Sequence, residues 1–197
     1  MSQSRLAIEY ASLRATAPAG LYISLSPVRN GRAVQWDGTM FIRDDGPYRG
    51  GILEFVMTFE EYPEKPPVVS FKSAIHHPLV TGTGTFDLSR GFPQWTSDST
   101  AAQVLNYLKT SFSAPSLSSV PSHCGCADNQ CLEMLHEYPD LFTARAQECA
   151  STSTQSEALH GVGVEGVEGH ESSENAELTY EEMMSGISRY CKAQGLI

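Results

Sequence analysis

Hydrophobic residues recur at helical and strand spacings through the first half of the chain, and they predict one helix followed by four strands. Leu6, Tyr10 and Leu13 lie three or four residues apart, which predicts an amphipathic helix that ends before Pro18 and Gly20. Alternating apolar and polar residues then predict strands at 21–25, 34–43, 53–59 and 68–71. Connections this short between strands predict an antiparallel meander.

The apolar spacing returns to a helical period after residue 100. Val104, Leu105, Leu108 and Phe112 predict a buried helix. Two more helices are predicted at 130–138 and 139–150, the second with Pro139 at its first position, where proline is favoured. One helix, then four strands, then helices is an α+β order. We therefore expect one folded domain at 1–150.

The remaining residues have a different composition. Residues 151–175 are rich in Ser, Gly and Glu, which predicts an acidic, flexible linker. Thr179 and Glu182 form a capping-box pair that predicts a helix within 176–197. One side of this helix is apolar and contains Tyr180, Met183, Met184, Ile187, Tyr190 and Cys191, of which the first five are the predicted partner-binding residues. This stripe could pack on the chain's own domain or on a partner protein.

Charge and hydropathy exclude several classes of function. The net charge is -10, of which -6 falls in 151–197, where eight Glu are offset only by Arg189 and Lys192. An acidic chain without a basic cluster does not favour nucleic-acid binding. No apolar run has the length of a membrane span, and the N-terminus carries no signal-peptide pattern. We expect a cytoplasmic protein without direct membrane insertion.

The five cysteines all lie in the second half of the chain, at positions 124, 126, 131, 149 and 191. An intracellular setting predicts free thiols rather than disulfides. His123 with Cys124, Cys126 and Cys131 could be considered as zinc ligands, but their spacing fits no common pattern. Ordinary thiols are the alternative, and we expect neither a metal nor another cofactor.

Several motifs in the first 100 residues resemble the ubiquitin-conjugating (UBC-like) fold. His77-Pro78-Leu79 is followed by Gly84, Asp87 and, eight residues later, Trp95. The resemblance extends over about residues 5–150 and also includes Trp36, 46–51, Phe59 and the proline-rich run 62–71. It implies a UBC-like α+β fold with an N-terminal helix, a four-stranded antiparallel meander and C-terminal helices.

The resemblance implies a degenerate catalytic site at His77, Leu79 and Asp87. The family has a nucleophilic cysteine where this chain has Asp87, and an asparagine where it has Leu79. A ubiquitin thioester requires a thiolate, and an oxyanion needs a hydrogen-bond donor that leucine lacks. We therefore predict a pseudoenzyme without catalytic residues. His77 is predicted to anchor its segment by hydrogen bonding, and Asp87 to accept backbone N–H groups. Cys124 or Cys126 is the alternative position for a reactive thiol.

Within the family, the chain is most similar to the ubiquitin-conjugating enzyme variants (UEVs) and among these to the fused-toes (FTS) group. That similarity implies an adaptor that binds a Hook-like coiled coil and an FHIP-like scaffold, linking vesicular or endosomal cargo to microtubule transport. The alternative function is a UEV cofactor that binds ubiquitin and an active conjugating enzyme during ubiquitin chain assembly.

Overall fold

The computed structural model describes residues 2–25, 34–43, 45–122 and 126–154, without the side chains of residues 2, 3 and 14–16. Its elements follow the predicted order, with one addition, the short helix α3. They are α1 (Ser2–Thr16), β1 (Leu21–Leu25), β2 (Val34–Phe41), β3 (Ile52–Phe59), β4 (Val68–Phe71), α2 (Ala101–Ser111), α3 (Ala114–Ser118), α4 (Asn129–Glu137) and α5 (Pro139–Ser153). The predicted α+β class, with its N-terminal helix, meander and C-terminal helices, is confirmed.

The four strands form one antiparallel sheet in the order β1-β2-β3-β4. Side chains alternate between its faces, so that Trp36, Met40, Phe55 and Met57 lie in the core. The strand predicted at 34–43 ends earlier, at Phe41. Ile42 still donates to Gly51 O at 2.9 Å, but its carbonyl accepts from Gly50 N at 2.8 Å, which closes a turn and ends the regular ladder.

Gly38 gives the ring of Phe55 its place in the core. The two residues are cross-strand partners, and a Cβ atom on Gly38 would lie 2.2 Å from Phe55 Cζ. Any side chain at position 38 would therefore displace a ring that is fully buried.

A polar cluster joins α1 to the start of α2. Glu9 Oε2 accepts the N–H of Ala101 at 2.8 Å, and Tyr62 Oη donates to Glu9 Oε1 at 2.7 Å. Arg5 Nε also donates to Glu9 Oε1, at 2.8 Å. A carboxylate beside the first N–H groups of a helix is favoured by the helix dipole. The helix α2 then places Val104 and the leucines that follow it in the core, as predicted.

The last helix extends further than predicted and completes the sheet. We expected α5 to end near Ala150, but it continues to Ser153, which is buried. Ser153 Oγ accepts the N–H of Ile52 at 3.0 Å. That N–H points toward the β4 side of β3, and β4 ends at Phe71 before it reaches Ile52. Residues 151–153, predicted as linker, therefore belong to the helix.

The helix α3 was not predicted. It has five residues, of which Leu117 is the buried one, so it has no apolar period to detect. None of the helices within the described residues is long and apolar enough to cross a membrane. The chain divides into a unit at Met1–Gly161 and a second at Val162–Ile197. The predicted linker beyond residue 154 and the predicted helix at 176–197 lie outside the described residues.

Candidate functional site

The segment 77–88, which we call the flap, follows β4 and folds back on itself. The N–H of Asp87 donates to Leu79 O at 2.7 Å, and Val80 and Phe86 form a β-bridge. At the tip, Thr81 N donates to Thr85 O at 2.9 Å. The structure therefore brings two predicted site positions, 79 and 87, side by side.

The flap also covers the outer edge of β4. Phe71 N donates to Gly84 O and Phe86 N donates to Val69 O, each at 2.9 Å. Gly84 has φ +84°, and a Cβ atom there would lie 3.1 Å from Phe71 O. A glycine is required because the left-handed backbone and the close approach to β4 both exclude a side chain.

His77 anchors the base of the flap, as predicted. Its side chain is buried, and Nδ1 accepts the N–H of Leu79 at 3.0 Å. Nε2 therefore carries the ring proton and donates it to Ser111 O, at the end of α2, at 3.1 Å. Burial lowers the pKa of His77 to about 4, so the ring is neutral near pH 7. Because both ring nitrogens are bonded to backbone groups, His77 has a structural role in holding the flap.

Aromatic rings enclose His77 on the core side. The ring of Phe112 lies 4.5 Å from the imidazole, and that of Tyr48 lies 5.6 Å from it. Tyr48 Oη donates to His76 O at 2.5 Å. Burial raises the pKa of Tyr48 well above 10, so its hydroxyl remains a donor. Tyr48, in the connection between β2 and β3, therefore fixes the position of His76, the residue before the flap. No local sequence pattern indicates this pairing.

Leu79 and Asp87 have different environments although they are neighbours. Leu79 is buried, with its side chain in the core. Asp87 is half-buried, and its carboxylate accepts from Ser89 twice, Oδ1 from the backbone N–H at 2.8 Å and Oδ2 from Oγ at 3.0 Å. The prediction that Asp87 accepts a backbone N–H is confirmed. The Asp-x-Ser spacing is a local signal that could have identified Ser89 as the partner.

Trp95 lies beside the proline-rich run that precedes β4. Its indole Nε1 donates to Pro63 O at 2.8 Å, and its ring contacts those of Tyr62 and Phe92. The indole N–H therefore has a backbone acceptor. It ties the chain after the flap to the chain before β4.

The loop before α4 reaches the flap from the other side. Asp128 N donates to Pro78 O at 3.0 Å, so the segment beginning at Cys126 lies beside the flap. Cys126 is disulfide-bonded, which contradicts the prediction that the cysteines are thiols. Redox setting alone does not decide pairing, because two sulfur atoms held close by the fold can bond. His123 and Cys124 lie outside the described residues.

The two free cysteines in the described part of the chain are Cys131 and Cys149. Cys131 is buried, with Sγ 3.6 Å from His76 Nε2. Burial raises the pKa of Cys131 to about 12, so this sulfur is a protonated thiol at neutral pH and a poor nucleophile. Within the described ranges, no group of three His, Cys, Asp or Glu side chains could hold a metal ion.

The apolar stripe predicted to bind a partner lies outside the residues that the structure describes. It comprises Tyr180, Met183, Met184, Ile187 and Tyr190. The flap is therefore the candidate site whose geometry can be stated.

Comparison with known proteins identifies relatives of this chain. The family model described as "Ubiquitin-conjugating enzyme" matches residues 5–150. Ubiquitin-conjugating enzyme E2 2 of Aspergillus fumigatus is 33% identical over 119 residues, which cover 60% of this chain and 77% of that protein. The protein of the same name from Saccharomyces cerevisiae is 31% identical over 115 residues, covering 58% and 65%. Ubiquitin-conjugating enzyme E2 3 of Arabidopsis thaliana is 31% identical over 110 residues, covering 55% and 71%.

These relatives correct one prediction. We expected a pseudoenzyme, but the matched proteins are named as ubiquitin-conjugating enzymes, which indicates an enzyme instead. The prediction relied on positions 79 and 87 alone, whereas the match extends over the whole region 5–150. The chain also places Cys126 in a segment that is hydrogen-bonded to the flap.

Proposed function

Because the chain belongs to the ubiquitin-conjugating enzyme family, we propose that it acts in ubiquitin conjugation by binding ubiquitin and an active conjugating enzyme during ubiquitin chain assembly. The observation that carries this proposal is the family match across residues 5–150, which includes the sheet, the flap and the helices after it. The rigid anchoring of the flap by His77 supports it, because a fixed surface binds a partner with little loss of conformational freedom.

The outer face of the sheet is the surface that we assign to ubiquitin. It lies opposite the core, and Val56 is half-buried at its centre. Tyr22 and Val68 are exposed at its two sides. The pair formed by Lys72 Nζ and Asp37 Oδ1, 3.1 Å apart, lies on the same face. Val56 pairs with Asp37 on β2 and with Ser70 on β4, so this face mixes apolar and polar groups, as the interfaces of transient protein complexes do.

A chain-assembly reaction tests the proposal directly. Activating enzyme, ATP, ubiquitin and an active conjugating enzyme are incubated with and without this chain, and diubiquitin is quantified. We expect the chain to raise the rate, and ¹⁵N-labelled ubiquitin to show specific shifts on titration with it. Val56→Arg should abolish both effects. Ile8→Arg is the matched control, since Ile8 is 70% exposed on α1 and away from the sheet face. An unchanged rate together with unshifted ubiquitin would refute the proposal.

Direct transfer of ubiquitin by this chain is a second candidate, supported by the names of the relatives. The hydrogen bond from Asp128 N to Pro78 O holds the segment of Cys126 beside the flap. A thioester would form when the Cys126 thiolate displaces the thiol of the activating enzyme, so the disulfide of Cys126 must first be reduced. We expect a thiol-sensitive ubiquitin adduct only after reduction and removal of the reductant. Cys126→Ser should remove it, whereas the buried Cys131→Ser should not. Absence of an adduct in both states would exclude this candidate.

The similarity to the fused-toes group supports a further role as an adaptor. In that role the chain would bind a Hook-like coiled coil and an FHIP-like scaffold, and would link vesicular or endosomal cargo to microtubules in the cytoplasm. The junction of α4 and α5 offers an apolar surface for such a partner, with Tyr138 63% and Leu141 47% exposed. The stripe at Tyr180–Tyr190 remains a second predicted surface. Pull-down with a purified Hook-like coiled coil, and its loss in Leu141→Asp, tests this role.

A further inference from the structure

The two outer edges of the sheet are treated differently in this fold. The β4 edge is covered by the flap, through the hydrogen bonds of Phe71 and Phe86 described above. No described element pairs with the outer edge of β1. An uncovered edge strand is a template for pairing with another chain, and proteins commonly protect such edges with charged residues or proline. The sequence of β1, LYISL, contains neither.

The register of β1 on β2 shows which backbone groups point outward. Phe41 N donates to Gly20 O at 2.8 Å, so Gly20 and Phe41 form a hydrogen-bonded pair. Pairs alternate along an antiparallel ladder, so Leu21 opposite Met40 and Ile23 opposite Gly38 are non-hydrogen-bonded pairs. The N–H and C=O groups of Leu21 and Ile23 therefore point away from the sheet.

Two of these four outward groups already have partners. Leu21 N donates to Pro18 O at 3.1 Å, and Tyr10 Oη donates to Ile23 O at 3.3 Å. Leu21 O and Ile23 N have no partner among the described residues. In a parallel arrangement, one residue of the added strand bonds to both groups. Its N–H donates to Leu21 O, and its C=O accepts from Ile23 N. An antiparallel strand would need both the N–H and the C=O of Leu21 or of Ile23, but each of these residues already has one of its two groups bonded.

A groove of about 270 Å³ lies beside this edge. It is lined by Tyr10, Leu13, Ala17, Leu21, Tyr22 and Ile23. Its lining is predominantly apolar, so it suits the side chains that an added strand would direct toward α1. The volume is that of one or two side chains, below the range of about 300–1,000 Å³ typical of small-molecule sites.

A positive charge marks one end of the groove. Lys109 Nζ donates to Ala19 O, two residues before β1 begins. No carboxylate within the described residues forms a salt bridge with this ammonium group. A strand parallel to β1 would pass this end with its N-terminal residues, where an acidic side chain would complement Lys109.

We propose that the β1 edge binds an extended segment of a partner protein, added as a parallel strand, with an acidic residue near its N-terminal end and apolar side chains at alternate positions. This edge adjoins the sheet face assigned to ubiquitin at Tyr22, which lines the groove and is exposed at one side of that face. A second copy of the chain fits less well, because one five-residue strand buries far less than the roughly 1,200 Å² that a stable protein interface needs.

The test uses the full chain and three synthetic peptides. The probe is fluorescein-labelled Asp-Ser-Val-Thr-Val-Thr-Val. The second peptide has the amides of both threonines N-methylated, because the residues that hydrogen-bond to β1 alternate with the valines that face the groove. The third peptide has Lys in place of Asp. We expect saturable binding of the probe, at least tenfold weaker binding of the N-methylated peptide, and weaker binding of the Lys peptide. No binding of the probe, or equal binding of all three peptides, would overturn the proposal.

Ile23→Pro removes the outward N–H without removing a bond of the β1–β2 ladder. This variant should bind the probe about tenfold more weakly, the factor expected for the loss of one hydrogen bond of ordinary strength. Ile23→Val keeps the N–H and is the matched control. Since proline could disturb the strand, amide exchange of Ile23 in the unmodified chain is measured as well. The amide should be unprotected alone and protected by the probe. Protection before any peptide is added, or a dimer lost in Ile23→Pro, would show that the edge is already covered and would overturn the proposal.

Discussion

The imidazole of His77 and the carbonyl group of Ser111 join the flap to the end of α2 through a hydrogen bond of 3.1 Å. The second ring nitrogen accepts from Leu79 within the flap. One buried side chain thereby fixes the position of the flap relative to the core helix. The arrangement depends on a neutral ring, since a protonated imidazole could not accept from Leu79.

We expect the stability of the protein to fall as the pH is lowered from 6.5 toward 4. Burial lowers the pKa of His77 from 6.5 to about 4, so in this window the unfolded chain binds a proton there that the folded protein does not. The free energy of unfolding therefore falls with falling pH, by about 3 kcal/mol for the complete shift. Urea unfolding at several pH values measures it.

The variant His77→Gln isolates this contribution from those of the carboxylates. It should unfold more easily than the unmodified protein at pH 7, by about 2–4 kcal/mol, because two buried backbone partners lose their imidazole. The difference in free energy of unfolding between the variant and the unmodified protein should become smaller as the pH falls. A difference independent of pH would contradict the proposed neutral, buried state of His77. His136→Gln, at an exposed position of α4, serves as the control.

Gly38→Ala should destabilise the protein by about 1–3 kcal/mol, because its Cβ would enter the space of the Phe55 ring. Thermal unfolding monitored by circular dichroism measures the change. Gly82→Ala is the matched control, with no atom within 4 Å of the added Cβ, and should have little effect. The double variant Gly38→Ala with Phe55→Leu should recover part of the loss relative to Phe55→Leu alone. Strict additivity would show that the two positions do not compete for space.

Ser153→Ala should lower the free energy of unfolding by about 1–2 kcal/mol, since the N–H of Ile52 loses its acceptor next to the core. Ser151→Ala, two residues earlier on the exposed side of α5, should be neutral. Denaturant titration compares the two. Equal effects would mean that residues 151–153 do not complete the sheet.

Native alkylation should distinguish the cysteines. Cys131 is buried and its pKa is raised to about 12, so iodoacetamide should modify it far more slowly than the half-buried Cys149. Cys126 should react only after reduction. Peptide mapping by mass spectrometry follows each site, and denatured protein provides the reference in which Cys131 and Cys149 react alike. Rapid native modification of Cys131 would contradict its burial.

The sequence by itself determined the order of the four strands and of every helix except α3. The period of two along β2 and β3, the spacing of Leu6 and Leu13 and the apolar run in α2 are local patterns, and each states which face of its element is buried. The motifs at 62–71 and 77–95 likewise identified the family and the flap positions. They led to the prediction of a pseudoenzyme, which relatives named as ubiquitin-conjugating enzymes contradict, because that prediction considered only positions 79 and 87.

Only the tertiary structure decided the partners. Ser111 lies 34 residues from His77, and Ser153 lies 101 residues from Ile52. A hydrogen bond over such a separation depends on where two segments meet in space, and hydrophobic periodicity does not encode this. The same holds for the two sheet edges, since β4 is covered by the returning flap while β1 presents Leu21 O and Ile23 N outward. Local patterns determine burial, whereas packing determines which polar groups remain for binding.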